Sequence, residues 1–175
     1  MPIVGLDTQL LYKATAADIL AVPGRVENAD LDGEQSAEHL TGAAGDDSVV
    51  MSMIEPKGSA SLWVQSTALL AKALKTVVNA LPPEIAEIQG GAIGENMSKQ
   101  TQCYLDVLEF SLEKGGALKA DIEWLALTHT TGDATVIATA LAKNLILKWH
   151  AAEVELASAT YGCQSVKIRN ENGLA

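Results

Sequence analysis

The chain has 175 residues, 48% of them hydrophobic but only 4% aromatic, and a formal net charge of −10. That suits one domain over 1–175, with a core of Ala, Leu, Val and Ile rather than of rings. An acidic surface excludes ordinary binding to a phosphate backbone, which needs Lys and Arg to displace counterions, but not a surface past which nucleic acid travels.

Met1 to Ala14 carries Ile3, Val4, Leu6, Leu10, Leu11 and Tyr12, broken at Pro2 and Gly5, and predicts an extended N-terminal arm with at most a short strand. Asp7, Lys13 and Asp18 interrupt the first twenty residues, so neither a signal peptide nor a membrane span is expected and the chain reads as soluble. Ile19 to Val26 suits a strand with a turn or bulge at Pro23-Gly24. From Glu27 to Asp47 seven carboxylates occur without one Lys or Arg, which predicts an acidic loop region. Within it Asn28, Asp30, Asp32 and Gly33 fit the opening of a calcium loop, but His39 stands where the closing Glu belongs.

Ser48 to Ile54 predicts a strand through Val49, Val50, Met51 and Met53, and Ser59 to Val64 another after the Pro56-Lys57-Gly58 turn. In Thr67 to Leu81 the residues Leu70, Leu74, Val77, Val78 and Leu81 recur at three and four, which predicts an α-helix stopped by Pro82-Pro83. Glu84 to Gln89 reads as a short strand before a loop from Gly90 to Lys99.

Thr101 to Thr128 is the most legible stretch. Two runs of period-two alternation flank Gly115 and Gly116, a hairpin signal. Tyr104, Leu108, Phe110 and Leu112 share one face, with Asp106 the exception, and Leu118, Ala120, Ile122, Trp124 and Ala126 answer them on the second run. A three-residue loop, Gly115 to Ala117, would set Glu113 opposite Lys119, Ser111 opposite Asp121, Glu109 opposite Glu123 and Phe110 opposite Ile122. Acid opposite acid is destabilising unless solvated, so that face belongs in water, and Trp124 and Trp149 belong in the core. His129 to Asp133 then reads as a turn, Leu145 to Ala151 and Val154 to Leu156 as strands, Tyr161-Gly162 as a turn and Ser165 to Arg169 as the final strand.

No phosphate-cradling loop, nucleophile elbow or metal-ligand spacing of His39, His129 and His150 occurs, so no enzymatic activity, cofactor or metal is expected. Cys103 and Cys163 lack CxxC spacing and read as two half-buried strand thiols, with a disulfide as the alternative.

The order of an acidic early segment, a mid-chain helix, CYLDVLEFSLE followed by KGG and ALKADIEWLAL, then LKWHAAEVEL and CQSVKIRNENGLA resembles the tail tube proteins of tailed phages and viruses. The resemblance covers Gln89 to Ala175 well and Met1 to Val64 loosely. It implies a mainly β fold, a β-sandwich or barrel with one flanking α-helix. Subunits would form hexameric rings stacked into a hollow tail tube, a conduit for the genome, assembled in the host cytoplasm and resident in the virion tail. The implied partners are further copies of the chain, a baseplate or tail-tip initiator, a tail terminator and, where the tail is contractile, a sheath protein, with DNA passing unbound. Glu109, Ser111, Glu113, Lys119, Asp121 and Glu123 would face the lumen, and Val49, Val50, Met51 and Met53 would touch a neighbouring subunit. The alternatives are a tube of type VI secretion or another contractile injection system, or a monomeric β-domain binding calcium or a small ligand.

Overall fold

The structure, a computed structural model, describes residues 3–4, 8–31, 33–34, 37–41, 47–51, 55–75, 77, 80–92, 97–131, 153–156 and 158–174. In chain order its strands are β1 (Ile3–Val4), β2 (Thr8–Lys13), β3 (Gly24–Asp30), β4 (Gly33–Glu34), β5 (Ala37–Thr41), β6 (Asp47–Met51) and β7 (Glu55–Val64). They continue with β8 (Ile85–Ala92), β9 (Ser98–Glu113), β10 (Lys119–Leu125), β11 (Thr128–Thr131), β12 (Glu153–Leu156), β13 (Ala159–Gly162) and β14 (Ser165–Glu171). The chain is thus mainly β, and its principal sheet is antiparallel throughout.

β9, 16 residues long, organises that sheet. One of its edges carries β10 and then β11; the other carries β14 along its C-terminal part and β8 along its N-terminal part. Beyond β10 come β7, β3 and β1, and beyond β8 comes β2.

The hairpin forms, but with Ser111 opposite Lys119, Glu109 opposite Asp121, Phe110 opposite Ala120 and Leu108 opposite Ile122, a pairing two residues along from the one the three-residue loop predicts. A two-residue slip preserves the faces, because side chains alternate with period two. Hydrophobic pattern alone therefore cannot choose between the two registers. Asp106 is the extra residue of a bulge: Val107 pairs with Glu123 and Leu105 with Trp124. The bulge switches which parity points inward, so that Cys103 and Leu105 are buried on one side of it and Leu108 on the other. Tyr104, expected inward, is half-buried. The C-terminal tail pins this point, Asn172 N donating to Asp106 O at 2.8 Å and Asn172 Nδ2 to Leu105 O at 2.7 Å.

The core takes Leu10 and Tyr12 from β2, Val26 and Ala29 from β3, Leu62 and Val64 from β7, Ile85 and Ile88 from β8, Leu105 and Leu108 from β9, and Ile122 and Trp124 from β10. Trp124 is 1% exposed, as its alternation predicts, and its indole N–H donates to Gln100 Oε1 at 2.6 Å. Gln100 Nε2 donates onward to Lys57 O at 2.8 Å, so both polar groups are satisfied in the core. Gly58 must be glycine, since a Cβ there would lie 2.1 Å from Trp124 Cζ2. Trp149 lies outside the described residues.

Several expectations need correction. The N-terminal arm contributes β2, paired along its length with β8; Leu10 faces the main core while Leu11 packs with Val22 and Met97 on the other side. With both faces covered, that stretch shows no alternation to read. The acidic region begins as the end of β3 and continues, where described, as β4 and β5, with Ala29 and Leu31 buried among its carboxylates. β5 pairs with β6 as a separate two-stranded unit. His129 lies in β11 and Tyr161 in β13, where turns were expected.

The predicted α-helix over Thr67 to Leu81 is reduced, among the described residues, to one 3-10 turn, Leu70–Ala73. Leu74 turns to extended backbone, with φ −88 and ψ 119. The Ala73 carbonyl, which an α-helix would offer to an N–H four residues on, instead accepts from Asn170 Nδ2 at 3.0 Å and Asn172 Nδ2 at 2.9 Å. Leu70 is buried, but Leu74, Val77 and Leu81 are 57%, 63% and 62% exposed.

Candidate functional site

Away from the core, β3, β7, β10, β9 and β14 present one broad polar face. Their registers arrange it as three cross-strand rows. The row nearest the hairpin turn runs Arg25, Trp63, Lys119, Ser111, Lys167; the next runs Asn28, Ser61, Asp121, Glu109, Arg169; the last runs Asp30, Ser59, Glu123, Val107, Glu171. Rows about 7 Å apart follow from a rise of about 3.4 Å per residue and alternation of faces. All six residues expected to share a face, Glu109, Ser111, Glu113, Lys119, Asp121 and Glu123, do so. Acid still meets acid across β9 and β10, now as Glu109 against Asp121.

This face is not a bare row of acid. β14 lays Lys167 Nζ 2.7 Å from Glu109 Oε1 and Arg169 3.8 Å from Glu109 Oε2, and Arg169 also reaches Glu171 at 3.4 Å. Lys119 bonds Glu27 at 3.1 Å and sits 5.4 Å from the centroid of the Trp63 ring. The hydrogen bond from Lys119, then its charge, holds the Glu27 carboxyl below the usual carboxylate range. Ser61 Oγ donates to Asp121. The sequence shows the alternation that puts Lys167 and Arg169 on one side of their strand, but no local signal says that this strand lies beside β9.

At the end of the face away from the turn, a cleft of about 500 Å³ opens between the Asp106 bulge, β7 and the C-terminal tail. Asp30, Asp106 and Glu123 line it with Lys57, Leu125 and Leu174. Asp106 Oδ1 accepts from Leu174 N at 2.8 Å, which ties the tail to the cleft wall.

On β8, Glu87, 7% exposed, lies between Lys13 at 3.4 Å and Lys99 at 3.2 Å. Burial pushes its carboxyl up, but the hydrogen bonds from Gln89 and Lys99 and the two lysine charges outweigh that and hold it below its ordinary value. Neither Cys103 nor Cys163 is in a disulfide; Cys103 is fully buried, and that burial raises its thiol to about 12.

Of the residues expected to touch a neighbour, Val49, Val50 and Met51 lie on β6, and Met53 lies outside the described residues. Asn28 and Asp30, the opening of the calcium-like pattern, sit on β3, where Asn28 Oδ1 accepts from Ser61 N at 3.1 Å; Asp32 lies outside the described residues. Among the described residues no three His, Cys, Asp or Glu side chains gather as a metal site. No protein-family model and no curated protein matches the chain.

Proposed function

We propose that the chain is the subunit of a hollow tail tube, a non-enzymatic structural protein whose copies form rings that stack into a conduit for DNA. One observation carries the reading: an antiparallel sheet with a core face and a charged polar face ends, among the described residues, in β14 and β2 on one side and in β3 and β1 on the other, and the outer edge of β14 carries no further strand. Unpaired edges invite further strands, and two different edges joined head to tail generate a ring. On this reading the sheet turns over near the Asp106 bulge into a β-sandwich, which would leave its polar face free to line a channel.

That face suits the passage of DNA. Three of its cations are engaged, Lys119 by Glu27, Lys167 by Glu109 and Arg169 by Glu109 and Glu171, and Arg25 stands at its turn end, while Asp121 and Glu123 are exposed. Cations held by carboxylates offer passing phosphates little, and the exposed acids repel them.

Negative-stain electron microscopy of the purified protein tests the reading: rings or tubes are expected, and a monodisperse small particle at every concentration and salt would overturn it. Within tubes, Asp121→Lys, which lies outside the cleft, is expected to preserve assembly and to slow DNA release from virions. Glu109→Lys is the poorer probe, since it would set a third cation against Lys167 and Arg169.

A further inference from the structure

The three rows of the polar face form a gradient of charge along the strands. Around the hairpin turn lie Arg25, Lys114, Lys119 and Lys167 against Glu27 and Glu113; around the cleft lie Asp30, Asp106, Glu123 and Glu171 against Lys57. One end of the face is net positive and the other net negative. If the sheet continues from subunit to subunit around a ring, its hydrogen bonds run around the circumference and its strands point along the tube. The ends of the strands then become the two rims of the ring.

We infer, resting on the tube reading, that rings stack in one polarity because the hairpin turn of one copy docks in the Asp30–Asp106–Glu123 cleft of a copy in the next ring. The turn is shaped for entry. Gly115, at φ 79, and Gly116 have no side chains, and Lys114 beside them is exposed. Lys114 brings a further cation to a cleft whose carboxylates Asp30, Asp106 and Glu123 outnumber its one lysine, Lys57, while Ala117 meets Leu125 and Leu174. Stacking in the reverse sense would set like-charged rims together, and like-charge juxtaposition at an interface is strongly unfavourable.

The test uses the full chain and measures the protein concentration at which tubes appear, by sedimentation and electron microscopy, at low and high salt. Lys114→Glu and Glu123→Lys are each expected to raise that threshold by about tenfold or more at low salt, since turning attraction into repulsion exceeds the 1.4 kcal/mol that a factor of ten represents. The double variant is expected to recover most of the loss, and unchanged thermal unfolding of each variant shows that folding is intact. Tubes that form in the single variants as in the parent, or a double variant no better than the worse single one, would overturn the docking and leave the tube reading standing. A parent chain that gives neither rings nor tubes would overturn both.

Discussion

The two ends of β9 keep different company. From Gln100 to Leu108 the inward side chains are closed over: Gln100, Cys103, Leu105 and Leu108 are at most 3% exposed, and β8, β10 and β11 flank them. Toward the turn, Phe110 and Leu112 are half-buried, and across from them Val166 is half-buried and Ile168 58% exposed. One strand thus serves the chain's own core at one end and presents apolar surface at the other. A sheet whose apolar side outruns its own cover is suited to a neighbour. The difference can be broken by substitution, because the first end should be costly to alter and the second nearly silent in an isolated subunit.

Trp124→Ala should have the largest effect. It removes the biggest side chain of the core and strands Gln100 Oε1 without its donor, so a loss of about 3–5 kcal/mol is expected in denaturant unfolding. A loss under about 1 kcal/mol would mean that the closed end is no tighter than the open one. Gly58→Ala attacks the same ring from the other side. Its new Cβ cannot coexist with the Trp124 ring where it lies, and overpacking of this kind costs about 1–3 kcal/mol.

A smaller, pH-dependent effect is expected at Glu87. Its folded-state carboxyl lies below the ordinary value, so its contribution is present above the unfolded pKa of about 4.3 and is lost as pH falls through the folded value. Glu87→Gln should therefore flatten the fall of stability on acidification. If the variant and the parent fall in parallel, Lys13 and Lys99 are not holding the carboxylate.

Legibility divides along the same line. The hairpin, its two faces, the burial of Trp124 and the final strand follow from alternation, because one side of each strand is wet. The bulge is visible in the sequence only as the misfit of Asp106, and the partners that bond it, Asn172 and Leu174, lie more than sixty residues away, with no local signal for the swap of faces. β2 was hidden because both its sides are covered. The helix over Thr67 to Leu81 was mistaken because apolar spacing at three and four says nothing of the side-chain amides of Asn170 and Asn172, which arrive from almost one hundred residues away to cap Ala73. On the polar face the acids were legible one by one, whereas their pairing with Lys167 and Arg169 required knowing which strand lies next to β9.

Ile168→Ser should have the smallest effect on the isolated subunit, and that small effect is what separates the two ends of β9. A side chain already 58% exposed loses little burial when shortened, so the change in unfolding free energy should stay within about 0.5 kcal/mol. In the proposed ring the same residue would lie on the edge strand, with its apolar side chain on the face opposite Lys167 and Arg169, where a neighbouring sheet would cover it. Burying an Ile side chain contributes about 1.5–3 kcal/mol, repeated at every subunit contact, so ring formation should weaken by at least about tenfold in concentration while the melting of the subunit barely moves. Measuring both on one preparation removes folding as an explanation. Unchanged assembly with unchanged stability would mean that the apolar surface of β14 meets no neighbour, and the turn-proximal end of β9 would then be only a loosely covered margin of the core.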